Sequence, residues 1–245
     1  MNLFDAGILG AIQGLTEFLP VSSSGHLVLA QSLIPGFSQP GVLFDVVLHF
    51  GTLFAVLYYF AKKILSLKIN YLLLLFIGTI PAALFGYFFA PFLEASFGNV
   101  KWVAAELIIT GVLNILVDKF PSNKKILTLK NSFLVGVAQA IAIIPGISRS
   151  GATIFAGVGL GISKKEAAEF SFLLSIPAIL GANILQFAKY GANGRIDVPY
   201  YLTGLIVSFA VGFFSIKVVF KFLEERKFKY FGYYAIALGL IFFIL

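Results

Sequence analysis

Cysteine is absent from these 245 residues, which excludes disulfides, thiol nucleophiles and cysteine-ligated metals. Charge is scarce as well: Asp, Glu, Lys and Arg make up 12% of the chain, against about 25% in an ordinary soluble domain. What is present instead is apolar. The chain is 59% hydrophobic with a mean hydropathy of +0.97, and apolar runs of about 20 residues, the length that crosses a bilayer, recur from end to end. A soluble enzyme is excluded by that pattern, and the lipid bilayer is the expected surrounding. The N-terminal stretch lacks a basic region and is interrupted by Asp5, so no removable signal peptide is expected. The net charge of +7 does not call for a nucleic-acid partner, because Lys and Arg gather in the cytoplasmic loops of membrane proteins.

Six stretches have spanning length: about 42–61, 71–90, 102–118, 167–188, 199–220 and 230–245. Two further apolar regions, 3–34 and 132–162, are broken in the middle by Pro, Ser and Gly. Each half of these is too short to span, which predicts re-entrant hairpins of two half-helices. Loop charge then sets the orientation. Lys62, Lys63, Lys68, Lys119, Lys124, Lys125, Lys130, Lys164, Lys165, Lys217, Lys221, Arg226, Lys227 and Lys229 fall on one side, and only Lys101, Lys189 and Arg195 on the other. The larger set is cytoplasmic by the positive-inside rule, with both termini outside.

The two breaks resemble each other. An offset of 126 residues carries Gly10, Gln13, Ser22, Ser24 and Gly25 onto Gly136, Gln139, Ser148, Ser150 and Gly151, and it continues through Phe44 onto Phe170 and His49 onto Ser175. The expected fold is therefore an all-α polytopic membrane protein: six transmembrane helices plus two re-entrant helical hairpins, arranged as an inverted-topology repeat. It forms one domain over 1–245, with repeat 1 at 1–118, a linker at 119–131 broken at Pro121, Ser122 and Asn123, and repeat 2 at 132–245. Broken helices that meet near the midplane build polar sites in such proteins. The small residues Gly204, Ala210 and Gly212 suit helix contact within the chain or between two copies, as in a homodimer.

Arg149 is the sharpest single residue, since a charge at the bilayer centre costs roughly 2.5–3.5 kcal/mol and needs a partner or a task. It either pins the tips together through Glu17 or clamps an anion. Ser148, Ser150 and Gly151 flank it and Thr153 follows, at the start of a half-helix over about 151–161 whose free N–H groups suit phosphate oxygens. Ser22 and Ser24 are the matching hydroxyls of the first break. Gln13 and Glu17 share one helix face, and Glu17 reads as metal ligand, partner of Arg149 or general base. Oxygen ligands of this kind suit Mg²⁺ or Ca²⁺. His26 is a candidate acid/base or nucleophile, and Ser23 is the rival nucleophile with His26 as its base. Asp45 and His49, four apart, either extend the polar cavity or form a buried pair. Glu106 and Glu169 lie near span ends and are expected to be solvated. Trp102, Tyr200 and Tyr201 are expected as interfacial anchors.

Gly14-Leu15-Thr16-Glu17-Phe18-Leu19-Pro20-Val21-Ser22-Ser23-Ser24-Gly25-His26 and Pro145-Gly146-Ile147-Ser148-Arg149-Ser150-Gly151-Ala152-Thr153 resemble the two signature segments of the bacitracin-resistance type undecaprenyl pyrophosphate phosphatases. The resemblance extends over essentially the whole chain. It implies hydrolysis of the C55 prenyl diphosphate to the monophosphate, a divalent-cation requirement, and a site open to the outer face of the bacterial cytoplasmic membrane. It implies functional roles for Gln13, Glu17, Ser23, His26, Ser148, Arg149 and Thr153. Many members carry an acid where this chain has Gln13, and an amide binds a metal less strongly than a carboxylate. The competing class is a transporter or flippase for a phosphate-bearing lipid, because inverted repeats with broken helices are also a transporter plan. Glu17 and His26 favour the enzyme, since a carrier needs an anion clamp but no acid/base group.

Overall fold

The structure, a computed structural model, describes residues 2–37, 39, 43–89, 99–121, 125–190 and 197–244. Five helices begin where a capping side chain precedes an apolar run. Asn2 and Asp5 cap α1 (Leu3–Phe18) reciprocally, the Asp5 N–H donating to Asn2 Oδ1 at 2.9 Å and the Asn2 N–H to Asp5 Oδ2 at 2.8 Å. Pro20 follows its end, and α2 (Ser23–Ser32) starts after Ser22, which turns the chain with φ +70°. Then come α3 (Leu43–Tyr59), the short α4 (Ala61–Leu65), α5 (Ile69–Phe88) and α6 (Val100–Val117). The second broken segment is α7 (Leu129–Ile141), capped by Thr128, and α8 (Arg149–Gly159), capped by Ser148. The long α9 (Lys164–Tyr190), α10 (Val198–Glu224) and α11 (Lys229–Ile244) complete the chain.

Among the described residues all regular structure is helical. Four helices are long and apolar enough to cross a membrane: Ile69–Phe88, Val100–Val117, Lys164–Gln186 and Val198–Glu224. Leu43–Tyr59 and Lys229–Ile244 are equally apolar but shorter, at 17 and 16 residues. Large apolar side chains such as Phe4, Ile69, Phe76, Phe214 and Ile244 face outward, which suits lipid and not water. The expected break at Ser122 and Asn123, together with Lys124, Arg195 and the side chain of Lys189, lies outside the described residues.

Glycine pairs bring the helices together. A Cβ on Gly10 would sit 2.7 Å from the Gly204 carbonyl oxygen, and a Cβ on Gly136 would sit 2.3 Å from that of Gly78. The 126-residue offset turns one contact into the other, since it carries Gly10 onto Gly136 and Gly78 onto Gly204. So α1 lies against α10 as α7 lies against α5. The α6–α11 pair closes on itself in antiparallel fashion, with Gly111 against the Gly232 carbonyl and Gly239 against the Ala104 carbonyl, each Cβ position 2.6 Å away. Without a hydrophobic driving force between helices in lipid, backbone approach at small residues is what holds such pairs. Gly204 and Gly212 are covered by the chain's own α1 and α3, leaving Ala210 on the surface.

A block of phenylalanines fills the interior beyond the first break. Phe18 meets Phe172 edge-on at 5.4 Å, and Phe172 meets Phe220 edge-on at 5.7 Å, the geometry that ring quadrupoles favour. Two expectations fail here. Tyr201 is not an interfacial anchor, because it is buried edge-on against Phe44. Glu106 is not solvated: it is 8% exposed, on the face of α6 that meets the second break. Trp102 is exposed, and Glu169 is half-buried against Lys63.

Candidate active site

The end of α1 delivers Glu17 into the interior, its side chain 3% exposed. A carboxylate there needs its acceptor positions filled. Gln13, one turn earlier, donates Nε2 to Oε2 at 2.9 Å, and Ser23, at the start of α2, donates its hydroxyl to the same oxygen at 2.7 Å. Arg149 Nη2, from the first residue of α8, donates to Oε1. His49 Nε2 on α3 stands 3.6 Å from Oε2, within range of an ion pair but longer than a hydrogen bond. Both breaks and α3 thus converge on one carboxylate.

Arg149 uses only part of its guanidinium on Glu17. Its Nη1 is buried and has no partner among the described residues, and Gln13 Oε1 is in the same condition. Buried polar atoms of this kind mark a place where water, ion or ligand completes the bonding. The backbone around Arg149 is more committed than the sequence suggested. The Ser148 N–H donates to Thr110 Oγ1 at 2.8 Å and the Gly151 N–H to Ser148 Oγ at 3.1 Å. The expectation of free N–H groups across 148–151 is corrected accordingly: capping and α6 take two of them, and α8 begins at Arg149 because Ser148 is the cap. The Thr153 hydroxyl is likewise tied back, donating to the Arg149 carbonyl at 2.7 Å and lying 2.6 Å from Ser171 Oγ.

The first break repeats this cap. Ser22 Oγ accepts the Gly25 N–H at 3.3 Å and lies 3.3 Å from Ser24 Oγ, as Ser148 Oγ lies 3.2 Å from Ser150 Oγ. His26 is buried one turn into α2. Its Nδ1 is 2.8 Å from the Ser22 carbonyl oxygen, which can only accept, so in the neutral ring that nitrogen carries the proton. Nε2 therefore accepts from the Tyr234 hydroxyl at 2.9 Å, and the two rings stack at 5.6 Å. No hydrogen bond joins His26 to Glu17, Ser23 or Arg149 among the described residues.

The structure thus brings Gln13, Glu17, Ser23 and Arg149 into one hydrogen-bonded set, places His26 beside that set facing α11, and leaves Ser22, Ser24, Ser148, Ser150 and Gly151 as the caps that shape the two turns. Asp45 and His49 are not a side-chain pair. His49 Nδ1 donates to the Asp45 carbonyl at 2.7 Å, while the Asp45 carboxylate accepts from Gln31 at 2.6 Å and Gln39 at 3.1 Å. Sequence reasoning passed over Thr110, Asn114, Ser171 and Tyr234. Nothing local flags Tyr234, which is 208 residues from His26. Glu106, Thr110 and Asn114 did carry a signal: three polar residues at four-residue spacing in an apolar span.

A hydroxyl donating to a carboxylate that two further groups orient is the arrangement of an activated nucleophile. An adjacent, partly buried guanidinium with an unpartnered Nη1 suits a phosphoryl oxygen. For metal ligation, no group of three His, Asp or Glu occurs among the described residues. The oxygen donors available are the Glu17 carboxylate, Gln13 Oε1 and the Ser23 hydroxyl.

Comparison with known proteins finds one family. The family model described as Bacitracin resistance protein BacA matches residues 6–241. The chain is 40% identical over 259 residues to an undecaprenyl-diphosphatase of Syntrophotalea carbinolica, covering 99% of this chain and 98% of that one. It is 42% identical over 256 residues to an undecaprenyl-diphosphatase of Carboxydothermus hydrogenoformans, covering 100% and 98%. An undecaprenyl-diphosphatase of Methanococcus vannielii is 38% identical over 252 residues, covering 97% of this chain and 98% of that one.

Proposed function

This chain belongs to the bacitracin resistance protein BacA family, and we infer that it is a membrane-embedded phosphatase that converts undecaprenyl diphosphate to the monophosphate and phosphate. The observation that carries the reading is the buried Glu17 carboxylate holding Ser23 and Arg149 at once. Recycling of the lipid carrier for peptidoglycan follows from the reaction. Bacitracin resistance follows too, because the drug sequesters the diphosphate lipid that the enzyme removes.

The mechanism proposed starts with the terminal phosphate against Arg149, whose free Nη1 donates to a phosphoryl oxygen. Ser23 Oγ attacks the terminal phosphorus as its proton passes to Glu17. The bond from that phosphorus to the bridging oxygen breaks, and the lipid monophosphate leaves with the bond's electron pair. Water then attacks the phosphorus bound to Ser23 Oγ, its proton going to Nε2 of His26, and Glu17 returns its proton to Ser23 Oγ as that bond breaks and phosphate leaves. Most of the rate gain in phosphoryl transfer comes from positioning and charge stabilisation. Arg149 is therefore expected to matter as much as the nucleophile.

Glu17 and Arg149 neutralise each other, so a diphosphate entering this site brings negative charge that no further Lys or Arg at the site among the described residues balances. A divalent cation, Mg²⁺ or Ca²⁺, fits. Glu17 and the unpartnered Gln13 Oε1 would hold it. When bound it supplies charge neutralisation and orientation of the diphosphate.

We place the chain in the bacterial cytoplasmic membrane as one domain of six spans and two re-entrant hairpins, the site opening outward and both termini outside. The exchange of the Gly10–Gly204 and Gly78–Gly136 contacts supports the inverted repeat. The parallel course of α1 beside α10 supports a hairpin that enters from the side where α10 begins. The prenyl tail would lie against the outward phenylalanines.

Phosphate release from a long-chain prenyl diphosphate by the detergent-purified protein, with Mg²⁺ or Ca²⁺ and with chelator, tests the reading. Release lost with chelator and in Glu17→Ala supports it. Lipid binding without any release would instead favour the transporter.

A further inference from the structure

One helix touches both breaks. On the face of α6 that meets the turns, Thr110 Oγ1 donates to the Gly146 carbonyl at 2.9 Å and accepts the Ser148 N–H at 2.8 Å. One helical turn further on, Asn114 Nδ2 donates to the Pro20 carbonyl. The two side chains are 1% and 0% exposed. Gly146 takes φ +97° and approaches α6 so closely that a Cβ there would lie 2.7 Å from the Val103 carbonyl oxygen and from Glu106 Cβ. Only glycine meets both demands. Gly151 brings the start of α8 to the same rung, its Cβ position 3.0 Å from Asn114 Oδ1.

The consequence lies in the connectivity. Ser148, held by Thr110, is followed directly by Arg149. Pro20, held by Asn114, stands three residues after Glu17. A second face of α6 is locked on α11 through Gly111 and Ala104. A single rigid element is therefore the common reference for both halves of an ion pair whose members lie 132 residues apart.

We propose that Thr110 and Asn114 are positioning residues that fix the distance between the two turns, and hence the placement of Arg149 and Ser23 around the terminal phosphate. Neither touches the reacting atoms; each acts through the main chain of a turn. The inference rests on the phosphatase reading for its catalytic consequence, but its geometric part stands independently. The magnitude at stake is large, because misplacing a catalytic group by about 1 Å can cost on the order of 10²-fold in rate.

The test combines kinetics with a direct measure of turn-to-turn approach. Thr110→Val keeps the shape and removes both hydrogen bonds. It is expected to lower kcat about tenfold to a hundredfold with a much smaller change in KM, and Thr110→Ser is expected to restore most of the rate. Because the chain has no cysteine, Leu19→Cys with Ser150→Cys reports the approach of the turns. The Ser150 hydroxyl lies 3.5 Å from the Leu19 carbonyl, so a short bifunctional thiol reagent should join the pair readily. That yield should fall when Thr110→Val or Asn114→Leu is added. Folding is followed by the unfolding temperature in detergent; should Thr110→Val fail to fold, Asn114→Leu makes the same comparison. A folded variant with wild-type kcat, or unchanged cross-linking yield, overturns the proposal. If the parent protein releases no phosphate, the phosphatase reading falls while the cross-linking comparison still decides this one.

Discussion

Ser23 Oγ lies 2.7 Å from Oε2 of Glu17, so a hydroxyl at the start of α2 donates to a carboxylate at the end of α1 across a turn shaped by Pro20 and Ser22. The turn is short enough that both groups belong to one local unit. The second break contributes the positive charge. The proposed nucleophile and base thus come from one half of the chain and the proposed anion clamp from the other.

Replacing Ser23 by Ala should reduce prenyl-diphosphate hydrolysis at least about 10²-fold while leaving lipid binding in place, the pattern expected when a covalent step is lost. Acid quench of the wild-type protein with substrate labelled in its terminal phosphate should trap the label on Ser23. Label found on His26, or an active Ser23→Ala protein, would rule out attack by Ser23.

Arg149→Ala should cost about 10²–10³-fold in kcat/KM, as loss of one preorganised donor typically does, and as much as His26→Ala. It should also lower stability by roughly 3–5 kcal/mol, since Glu17 would stay buried without its counter-charge. Arg149→Lys should restore little, because an ammonium cannot engage Glu17 and a phosphoryl oxygen through a planar fork. Kinetics and detergent unfolding on the same preparations check both.

Gly10→Val and Gly136→Val should each destabilise the protein by about 1–3 kcal/mol or more, because their Cβ positions fall on the Gly204 and Gly78 carbonyls. Gly7→Val, where a Cβ would meet nothing within 4 Å, should be tolerated. Unfolding temperatures in one detergent give the comparison. Equal tolerance at all three would mean the glycine contacts do not hold the helices.

Single cysteines introduced at Asn2 and at Lys165 test the orientation in a chain with none of its own. An impermeant thiol reagent applied to intact cells should label the first and spare the second. The reverse pattern would invert the topology, and the outward-facing site with it.

Removing divalent ions should abolish phosphate release, with recovery on adding Mg²⁺ or Ca²⁺. Gln13→Glu, which supplies a second carboxylate, should lower the cation concentration needed for half-maximal rate. An unchanged requirement would mean that Gln13 does not ligate the ion.

Much of this protein was legible in its sequence because membrane burial makes polar residues expensive. Glu17 and Arg149 could be singled out without coordinates, since charge inside an apolar run persists only for a reason. The two Ser/Gly breaks could be located because helices cannot run through them unchanged, and caps such as Ser22 and Ser148 have local signatures. What local pattern could not decide was which groups would meet at long range. Only the fold ties His26 to Tyr234, turns Glu106 inward, and gives both turns to one face of α6. The order in which α1 packs on α10 and α7 on α5 depends on which glycines face each other, and no periodicity along a single helix encodes its partner. The sequence by itself determined the medium, the breaks and the two charged residues that must find partners, through the cost of burying polar groups. The tertiary structure alone decided their registration, through backbone contacts between helices far apart in the chain.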